Sequence, residues 1–502
     1  MSESKTSYHG ILKSSSIVGG AEGVNLLLAM LRVKFVAVLL GPIGLGLLGL
    51  FQSIQSMVGT LSGLGIGSSG VRDVAEAAGS NDDERIGRTV LTLRRICWLT
   101  GIAGAFIMAA LAVPISHLTF QSVDYAGQIA CLGIVVLMGS VAAGQMALIQ
   151  GMRRIGDLAR LNVISSVFGT VVAIGFYAWL GLQGIIPALV TMSAFGLVAS
   201  FWFSRRVEVT KVQMSWAESL CMAKGLVSLG AAFMAAALMA AGVEYATRAL
   251  ITHEINLAAV GIFGAAFRLS GMFINFILAA MGADFYPSLT AASNDHAKMR
   301  DLVNQQTEIG LLLTLPGLLA TLALAPWIIQ VFYTEAFAQS AELLQWFVLG
   351  CLGRVISWPM GYIMLAKGAG RIFVLSETMA HILHLGLIWL GLKWLGIEGV
   401  SIAFCLIYVF HTLAMLFISR HLINFRWSLS VCRMLFVLLP LAVLAMIQSR
   451  YLPLIPATVI GSLMTIFVGV FCLRALCVRL GDEHSLVNRL CMIPGMRRIL
   501  GT

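Results

Sequence analysis

Five basic residues lie in or beside long apolar runs, where a charge is costly: Lys34, Arg248, Arg268, Arg354 and Arg32. Moving a cation to the middle of a bilayer costs roughly 2.5–3.5 kcal/mol on insertion scales. Such residues therefore face a water-filled cavity or a partner in most membrane proteins. The first four belong to four different apolar runs, so their convergence on one cavity would create a binding site for an anion.

Three of these positions also have a plainer interpretation. Arg32 and Lys34 are separated by about 200° around a helix, so they cannot both face one cavity. We favour Lys34 as the inward residue, with Arg32 extending to the lipid headgroups. Arg248 follows Glu244 by one helical turn, so an internal ion pair could neutralise both charges.

The other two cations have alternatives of their own. Arg268 has Asn275 on the same helix face, which favours the wall of a polar cavity. Arg354 precedes Trp358 by one turn and could instead form a structural cation–π contact.

Four acidic residues lie inside apolar runs: Glu22, Glu244, Asp284 and Glu377. A carboxylate in such a setting can exchange a proton or hold Na⁺. We expect this group to couple transport to an H⁺ or Na⁺ gradient, or else to pair with the buried cations. Asp284 lies just before Pro287 at a helix end, so a capping or gating role is also open.

Motifs for catalysis and cofactors are absent from the sequence. There is no P-loop, nucleophile elbow or HExxH motif, and the GxGxxG match at 65–70 ends an apolar helix instead of following a strand. The nine cysteines lack metal-ligand spacing. His381 and His384 share a helix face, as either a proton relay or a packed pair. We predict no catalytic residue, no metal and no bound cofactor.

The elements that carry these residues must be membrane helices. Of the 502 residues, 59% are hydrophobic and 11% are charged, whereas soluble proteins have roughly 25% charged residues. About fourteen runs reach the length of about 20 residues that a spanning helix needs. The predicted fold is therefore an all-α polytopic membrane protein with about 14 transmembrane helices.

The spans divide the chain into five predicted parts. An N-terminal lobe of about six helices covers 1–204, and a cytoplasmic linker covers 205–224. A C-terminal lobe of about six helices covers 225–420, and two additional transmembrane helices cover 421–480. A basic cytoplasmic tail covers 481–502.

The distribution of Lys and Arg residues along the chain predicts how the protein is oriented in the membrane. Most of the 33 Lys and Arg residues fall in segments that lie on one side of the membrane. This side is cytoplasmic under the positive-inside rule, which places both termini in the cytoplasm. The net charge of +10 therefore records topology and contact with membrane lipids, and we expect no nucleic-acid partner.

Several segments together resemble the Wzx-type O-antigen and enterobacterial common antigen flippases of the multidrug/oligosaccharidyl-lipid/polysaccharide exporter superfamily. The resemblance covers about residues 10–420. The segments that carry it, in chain order, are 41–47 with 64–67, 124–125 with 151–154, 260–263 with 284–289, and 361–367 with Arg371 and Glu377.

The resemblance implies two six-helix lobes around a central cationic cavity that alternates between inward and outward access. It implies a cargo of undecaprenyl-pyrophosphate-linked oligosaccharide, an O-antigen or related surface polysaccharide unit, moved from the cytoplasmic to the periplasmic leaflet of the bacterial inner membrane. Lys34, Arg248, Arg354 and Glu377 look like positions where relatives carry like-charged groups. The two extra C-terminal helices depart from many of these flippases, which have twelve spans.

Two other functions remain open at this point. A cation-coupled exporter of drugs or small molecules should have an acidic, aromatic cavity, whereas the charges here are mainly basic. A membrane-embedded polysaccharide polymerase or glycosyltransferase should have a large periplasmic loop or a carboxylate cluster. For a flippase, the expected partners are the lipid-linked oligosaccharide, membrane lipids, and a polysaccharide polymerase or chain-length regulator.

Overall fold

The computed structural model describes residues 23–80 and 82–479, except for the side chains of 226, 228–229, 231–233, 273, 276, 279–280 and 283–284. Glu22, the side chain of Asp284 and the predicted tail 481–502 lie outside the described residues. Within the described part, every regular element is helical and no strand occurs. The predicted all-α class is confirmed.

The described part contains fourteen α-helices and two single turns of 3₁₀ helix. The α-helices are α1 (Ser2–Gly63, described from Gly23), α2 (Ile66–Gly79), α3 (Asp83–Phe120), α4 (Ala126–Gly151), α5 (Ile155–Leu180), α6 (Ile185–Ser204), α7 (Trp216–Glu254), α8 (Leu257–Ala291), α9 (His296–Phe332), α10 (Ser340–Ala366), α11 (Gly370–Leu395), α12 (Glu398–Ile423), α13 (Leu429–Tyr451) and α14 (Leu454–Leu480).

Eleven helical stretches of the described residues are long and apolar enough to cross a membrane. One of them, Ile155–Ser204, contains both α5 and α6, and the described apolar part of α8 is the shorter stretch Leu257–Met272. The chain is therefore a multi-pass membrane protein. The predicted number of about fourteen spans stays approximate, because neighbouring helices merge at bends.

Glycine determines how α1 bends and what it crosses. The bend lies at Gly41, where the backbone is non-helical with φ 62° and ψ −166°, and Pro42 follows. Beyond the bend, α1 touches the start of α8. A Cβ added at Gly46 would lie 2.2 Å from the carbonyl oxygen of Leu257, and one at Gly261 would lie 2.0 Å from that of Pro42. A side chain at either position would therefore force the backbones apart.

The chain forms two compact units, Met1–Gly261 and Ile262–Thr502. In the first unit, α7 packs against α1, α2 and α3. The span that starts near residue 225, predicted from the sequence to open the C-terminal lobe 225–420, thus packs within the first unit. Apolar length identifies a span, but the shapes of side chains at helix crossings decide which bundle it joins.

The second unit includes the two additional helices predicted within 421–480. There, α10 packs against α9 and α12, and α13 and α14 both pack against α9. Gly461 of α14 permits the close contact, because a Cβ added to it would lie 2.4 Å from Cβ of Ala323. At one end of α14, Arg479 forms an ion pair with Glu308 of α9.

The short helix α2 closes one end of the first unit, which we call the α2 end; α1, α4 and α6 finish there, and α3, α5 and α7 begin there. Its buried residues Val74 and Ala77 join an apolar cluster with α3 and α4. On its outer side, burial and the neighbouring carboxylate of Glu76 raise the pKa of Asp73. Exposed Arg85 of α3 pairs with Glu76 at 2.7 Å.

Candidate functional site

A polar cavity of about 590 Å³ lies inside the first unit, between α1, α4, α5 and α6. Its single charged lining residue among those described is Arg32. The other polar groups in the cavity wall are amides and hydroxyls carried by α1, α5 and α6. They belong to Gln52, Gln55, Ser56, Ser165, Ser166 and Ser193.

A second cavity, of about 430 Å³, shares Gln55, Ser56 and Val135 with the first. It extends toward the α2 end along the glycine-rich segment 59–67. Thr60 and Ser140 add hydroxyl groups to its wall. No carboxylate lines either cavity among the described residues, and Arg32 is the one charged residue in the two described linings.

Arg32, and not Lys34, lines this cavity. The Arg32 side chain is half-buried, and its Nη1 lies 3.7 Å from the point where a Cβ on Gly169 would stand. Lys34 is also half-buried, but it is not part of the cavity wall. The cavity residue is therefore not Lys34, the residue predicted to point inward, because helical periodicity separates the two faces without saying which face meets another helix.

Arg248 is held within the first unit by two partners. Its Nη1 donates to Oε1 of Glu244 at 2.6 Å and to Oγ of Ser53 at 3.2 Å. The absence of a side chain at Gly49 leaves room for the guanidinium, because a Cβ there would lie 3.3 Å from Nε. The ion pair considered from the sequence is therefore present, and it links α7 to α1 through Ser53.

In the second unit, Arg354 of α10 is half-buried, and its charge acts on the hydroxyl of Tyr408 and the thiol of Cys351. Among the described residues, no hydrogen bond or ion pair reaches its guanidinium. The cation–π contact considered for Trp358 is absent from this part of the chain. Trp358 packs instead against Tyr362, with ring centroids 4.8 Å apart.

Arg268 of α8 belongs to the same unit. Its side chain is exposed, and its charge acts on the hydroxyl of buried Tyr333 in the segment after α9.

Glu377 of α11 meets a histidine that the sequence argument missed. Its Oε1 lies 3.3 Å from Nε2 of His411 on α12. His381, one turn along α11, acts electrostatically on both Glu377 and His384. Nδ1 of His411 and Nε2 of His384 are buried and have no hydrogen-bond partner among the described residues.

A signal for His411 was available in the sequence. It interrupts the apolar run of α12, as the buried arginines interrupt theirs. Tyr408, one turn earlier, packs its ring against His411, and the charges of Arg354 and Glu377 act on its hydroxyl, so α10, α11 and α12 together form a polar cluster. We call this set, Arg354, Glu377, His381, Tyr408 and His411, the histidine cluster.

The chain matches a family model described as "Polysaccharide biosynthesis protein" over residues 35–342. This range covers more than half of the sequence. The chain belongs to the polysaccharide biosynthesis protein family.

Membership in the polysaccharide biosynthesis family confirms the resemblance seen in the sequence segments. The matched range contains Arg248 and Arg268, whereas Arg32 and Lys34 precede it and Arg354 and Glu377 follow it. Two relatives of the chain are the Lipid III flippases of Escherichia coli (strain K12) and Shigella flexneri. Each is 23% identical over 378 residues, which cover 73% of this chain and 88% of the relative.

Solved structures share the fold of this family member at low identity. The lipid II flippase MurJ in an inward closed conformation has a TM-score of 0.68 and 14% identity, covering 93% of this chain and 99% of its own. An inward-facing multidrug resistance transporter of the MATE family has a TM-score of 0.60 and 15% identity, covering 80% and 94%. The first match extends beyond what residues 1–420 could supply, so it includes part of the predicted C-terminal segment 421–480.

Proposed function

We propose that this protein is a flippase that moves a lipid-linked oligosaccharide across the bacterial inner membrane, and that it is a transporter and not an enzyme. The cargo is an undecaprenyl-pyrophosphate-linked repeat unit of an O-antigen or a related surface polysaccharide, carried from the cytoplasmic to the periplasmic leaflet by alternating access. Family membership and the similarity to the Lipid III flippases support this proposal.

The observation that carries the proposal is the lining of the cavity around Arg32. A guanidinium presents paired N–H donors that match two oxygens of a phosphate. Amides and hydroxyls both donate and accept hydrogen bonds, as sugar hydroxyls require. An exporter of cationic drugs would need carboxylates there, and the described lining contains none.

The test of this function replaces Arg32 in a reconstituted system. We expect Arg32→Gln to slow the translocation of undecaprenyl-pyrophosphate oligosaccharide in proteoliposomes about tenfold, because a charge-assisted contact to phosphate is lost. Arg32→Lys keeps the positive charge but lacks the paired N–H donors of the guanidinium. Its translocation rate should therefore lie between those of the wild type and Arg32→Gln. Translocation is measured by the access of an added glycosidase to the sugar.

The matched control is Arg88→Gln, since Arg88 is exposed and paired with Glu84 at 2.6 Å on the surface. This variant should translocate at the wild-type rate. Wild-type translocation by Arg32→Gln would contradict a role for the cavity. Translocation of a cationic dye in place of the oligosaccharide would favour the drug-exporter alternative.

We further propose that protons drive the transport through the histidine cluster. Glu377 and His411 face each other, and the charge of His381 acts on Glu377. The ring of Tyr408, on whose hydroxyl Glu377 and Arg354 act, lies 6.1 Å from that of His411. A proton shared between a carboxylate and an imidazole changes the charge inside the second unit by one. Such a change can shift an equilibrium between two transport states.

An imposed pH gradient tests the coupling. We expect the gradient to accelerate translocation by the wild type and to have no effect on Glu377→Gln, whose side chain cannot exchange a proton. Glu335→Gln, at an exposed position before α10, is the control and should respond as the wild type does. Acceleration by a Na⁺ gradient with no response to pH would contradict proton coupling.

The fate of the cargo completes the proposed function. A repeat unit delivered to the periplasmic leaflet must be removed if transport is to continue in one direction. We therefore expect a polysaccharide polymerase or chain-length regulator to act next to this protein, within the same membrane lipids.

A further inference from the structure

A third cavity, of about 390 Å³, lies in the second unit, where α9 and α13 end and α10 and α12 begin. It shares no described lining residue with the two cavities of the first unit. Its wall carries charges of both signs, on Glu342, Glu398 and Arg450, and we call it the mixed-charge cavity. The other lining residues are Gln345, Ser449, Tyr451, Pro326, Ala338 and Ala341.

Arg450 is held at the cavity wall by long contacts. Its Nε donates to Oε1 of Gln345 at 3.2 Å, and its Nη2 donates to the carbonyl oxygen of Glu342 at 3.4 Å. Oε1 of Glu398 lies 3.8 Å from Nη2, whereas a close bond from a guanidinium to a carboxylate measures about 2.7–2.9 Å. The opposite charges in this cavity are therefore not closed into a tight ion pair.

Gln345 keeps the arginine in this position. The glutamine is only 2% exposed, and its Nε2 donates to Oγ of Ser449 at 2.9 Å. This bond fixes the amide so that its oxygen faces Arg450. The guanidinium has more N–H groups than these contacts use, so it can donate to a ligand in the cavity as well.

The two carboxyl groups form the negative side of the cavity. The side chains of Glu342 and Glu398 hydrogen-bond to each other, which requires that one of them keep a proton. The cavity then holds one negative charge opposite the positive charge of Arg450. Glu342 is exposed and the Glu398 side chain is 30% exposed, so a ligand can reach both.

Charges of both signs in one cavity match a ligand that is itself a zwitterion. An anion alone would be repelled by the carboxylate, and a cation alone by Arg450. Phosphoethanolamine has a phosphate that a guanidinium binds through paired N–H donors, and an ammonium whose N–H donors suit a pair of carboxyl groups. The cavity has room for about a dozen water-sized groups, and phosphoethanolamine has about eight non-hydrogen atoms.

Aromatic side chains indicate the depth of the cavity. Tyr451 in its wall is 82% exposed, and Trp394 at the end of α11 is 78% exposed. Trp327 of α9 is also exposed, and its Nε1 donates to Oγ1 of Thr458 at 2.8 Å. Tryptophan and tyrosine gather where lipid headgroups meet the hydrocarbon. A zwitterion at this depth is the headgroup of a phospholipid.

We propose that the mixed-charge cavity binds the headgroup of phosphatidylethanolamine, with Arg450 on the phosphate and Glu342 and Glu398 on the ammonium. A headgroup in this position contacts α10, α12 and α13 at once. It therefore ties the first of the two additional C-terminal helices to the rest of the second unit. The site does not depend on which cargo the protein transports.

The binding test uses the purified full-length protein, freed of lipid and titrated in native mass spectrometry. The probes are three phospholipids with the same acyl chains. Phosphatidylethanolamine has an ammonium with N–H donors, phosphatidylcholine has the same charges without these donors, and phosphatidylglycerol is an anion. We expect phosphatidylethanolamine to bind about tenfold more tightly than either of the others.

Replacement of both carboxyl groups tests the contact with the ammonium. The double variant Glu342→Gln, Glu398→Gln should bind phosphatidylethanolamine and phosphatidylcholine equally, with its Kd for phosphatidylcholine unchanged. The control is Glu335→Gln, at an exposed position before α10, which should keep the wild-type preference. Because the paired carboxyl groups share one proton, the double variant and the control lose the same net charge.

Replacement of the arginine tests the contact with the phosphate. Arg450→Gln should raise the Kd of phosphatidylethanolamine and of phosphatidylcholine about tenfold each, because both lipids lose the same contact. The ratio of the two Kd values should stay as in the wild type. The control is Lys393→Gln, which removes an exposed cation near the end of α11 and should change neither Kd.

A blocking variant keeps the test decisive if the charge variants fail to fold. Ala338→Phe adds a ring at an exposed position of the cavity wall and removes no side-chain hydrogen bond. It should bind phosphatidylethanolamine no better than phosphatidylcholine, while its Tm without lipid equals that of the wild type.

Three results would overturn the proposal. The first is equal Kd values of phosphatidylethanolamine and phosphatidylcholine for the wild type. The second is an undiminished preference in both Ala338→Phe and the double glutamate variant. The third is displacement of the bound lipid by a soluble hexose, which would make the cavity a sugar site.

Discussion

The arginines that lie within the helices of this protein have different surroundings. Arg248 is neutralised by Glu244 and also bonds to Ser53. Arg32 instead lines a cavity with neutral polar groups. The first arrangement strengthens the contact between two helices, whereas the second places a guanidinium in the wall of a cavity. The residue type is the same in both, and the neighbours differ.

Removal of the Arg248 side chain should therefore lower stability. We expect Arg248→Ala to reduce the free energy of unfolding by about 1–2 kcal/mol, because the link from α7 to Ser53 is lost; the half-exposed Glu244 limits the ionic part of this loss. The change is measured as a decrease in Tm of the purified protein in detergent.

Arg248→Lys is the companion variant, since an ammonium can still reach one of the two partners. It should unfold between the wild type and Arg248→Ala. An unchanged Tm in both variants would show that the contact with Ser53 and Glu244 contributes nothing to the fold.

At the scale of elements, close helix contacts depend on single glycines. The crossing of α1 and α8 brings Gly46 and Gly261 against backbone carbonyl groups. A side chain there cannot turn aside, because the atom it meets is main chain. These glycines belong to the segments 41–47 and 260–263 that carry the family resemblance, so the resemblance reflects a packing requirement in the first unit.

A methyl group at this crossing should be far more damaging than one a turn away. We expect Gly261→Ala to destabilise the protein by about 1–3 kcal/mol, since overpacking forces backbone shifts. Gly264→Ala is the control: nothing lies within 4 Å of the added Cβ, and alanine favours the helix. Its Tm should equal or exceed that of the wild type.

The measurement is thermal unfolding of both variants in one detergent. Equal Tm values for Gly261→Ala and Gly264→Ala would contradict the close approach of α1 and α8.

At the scale of the whole molecule, the chain is a multi-pass helical protein built as two compact units. The first unit contains the polar cavity and Arg248, and the second contains the histidine cluster and the two C-terminal helices. The groups proposed for cargo binding and for proton coupling thus lie in separate units. Coupled transport would then require that a change of charge in one unit alters binding in the other.

The orientation of the whole chain is a prediction of its own. The basic segments should lie in the cytoplasm, and so should both termini. We expect alkaline phosphatase fused after residue 502 to be inactive and green fluorescent protein at the same place to fluoresce. Fusions after Leu395, between α11 and α12, serve as the control. There the phosphatase should be active and the green fluorescent protein should not fluoresce. Active phosphatase at residue 502 would reverse the topology.

The sequence by itself determined the class of this protein, because apolar runs long enough to cross a bilayer have no other stable fold. It also indicated the family and the residues that carry charge within the apolar runs. These are local properties: each depends on neighbouring residues in the chain or on the energy of one side chain in lipid.

Only the tertiary structure decided the remaining points. It placed Arg32 and not Lys34 in the cavity wall, paired Glu377 with His411 on the next helix, and assigned α7 to the first unit. Each is a contact between residues distant in the chain. Helical periodicity gives the direction of a side chain around its own axis, but the neighbour in that direction is set by how the helices pack.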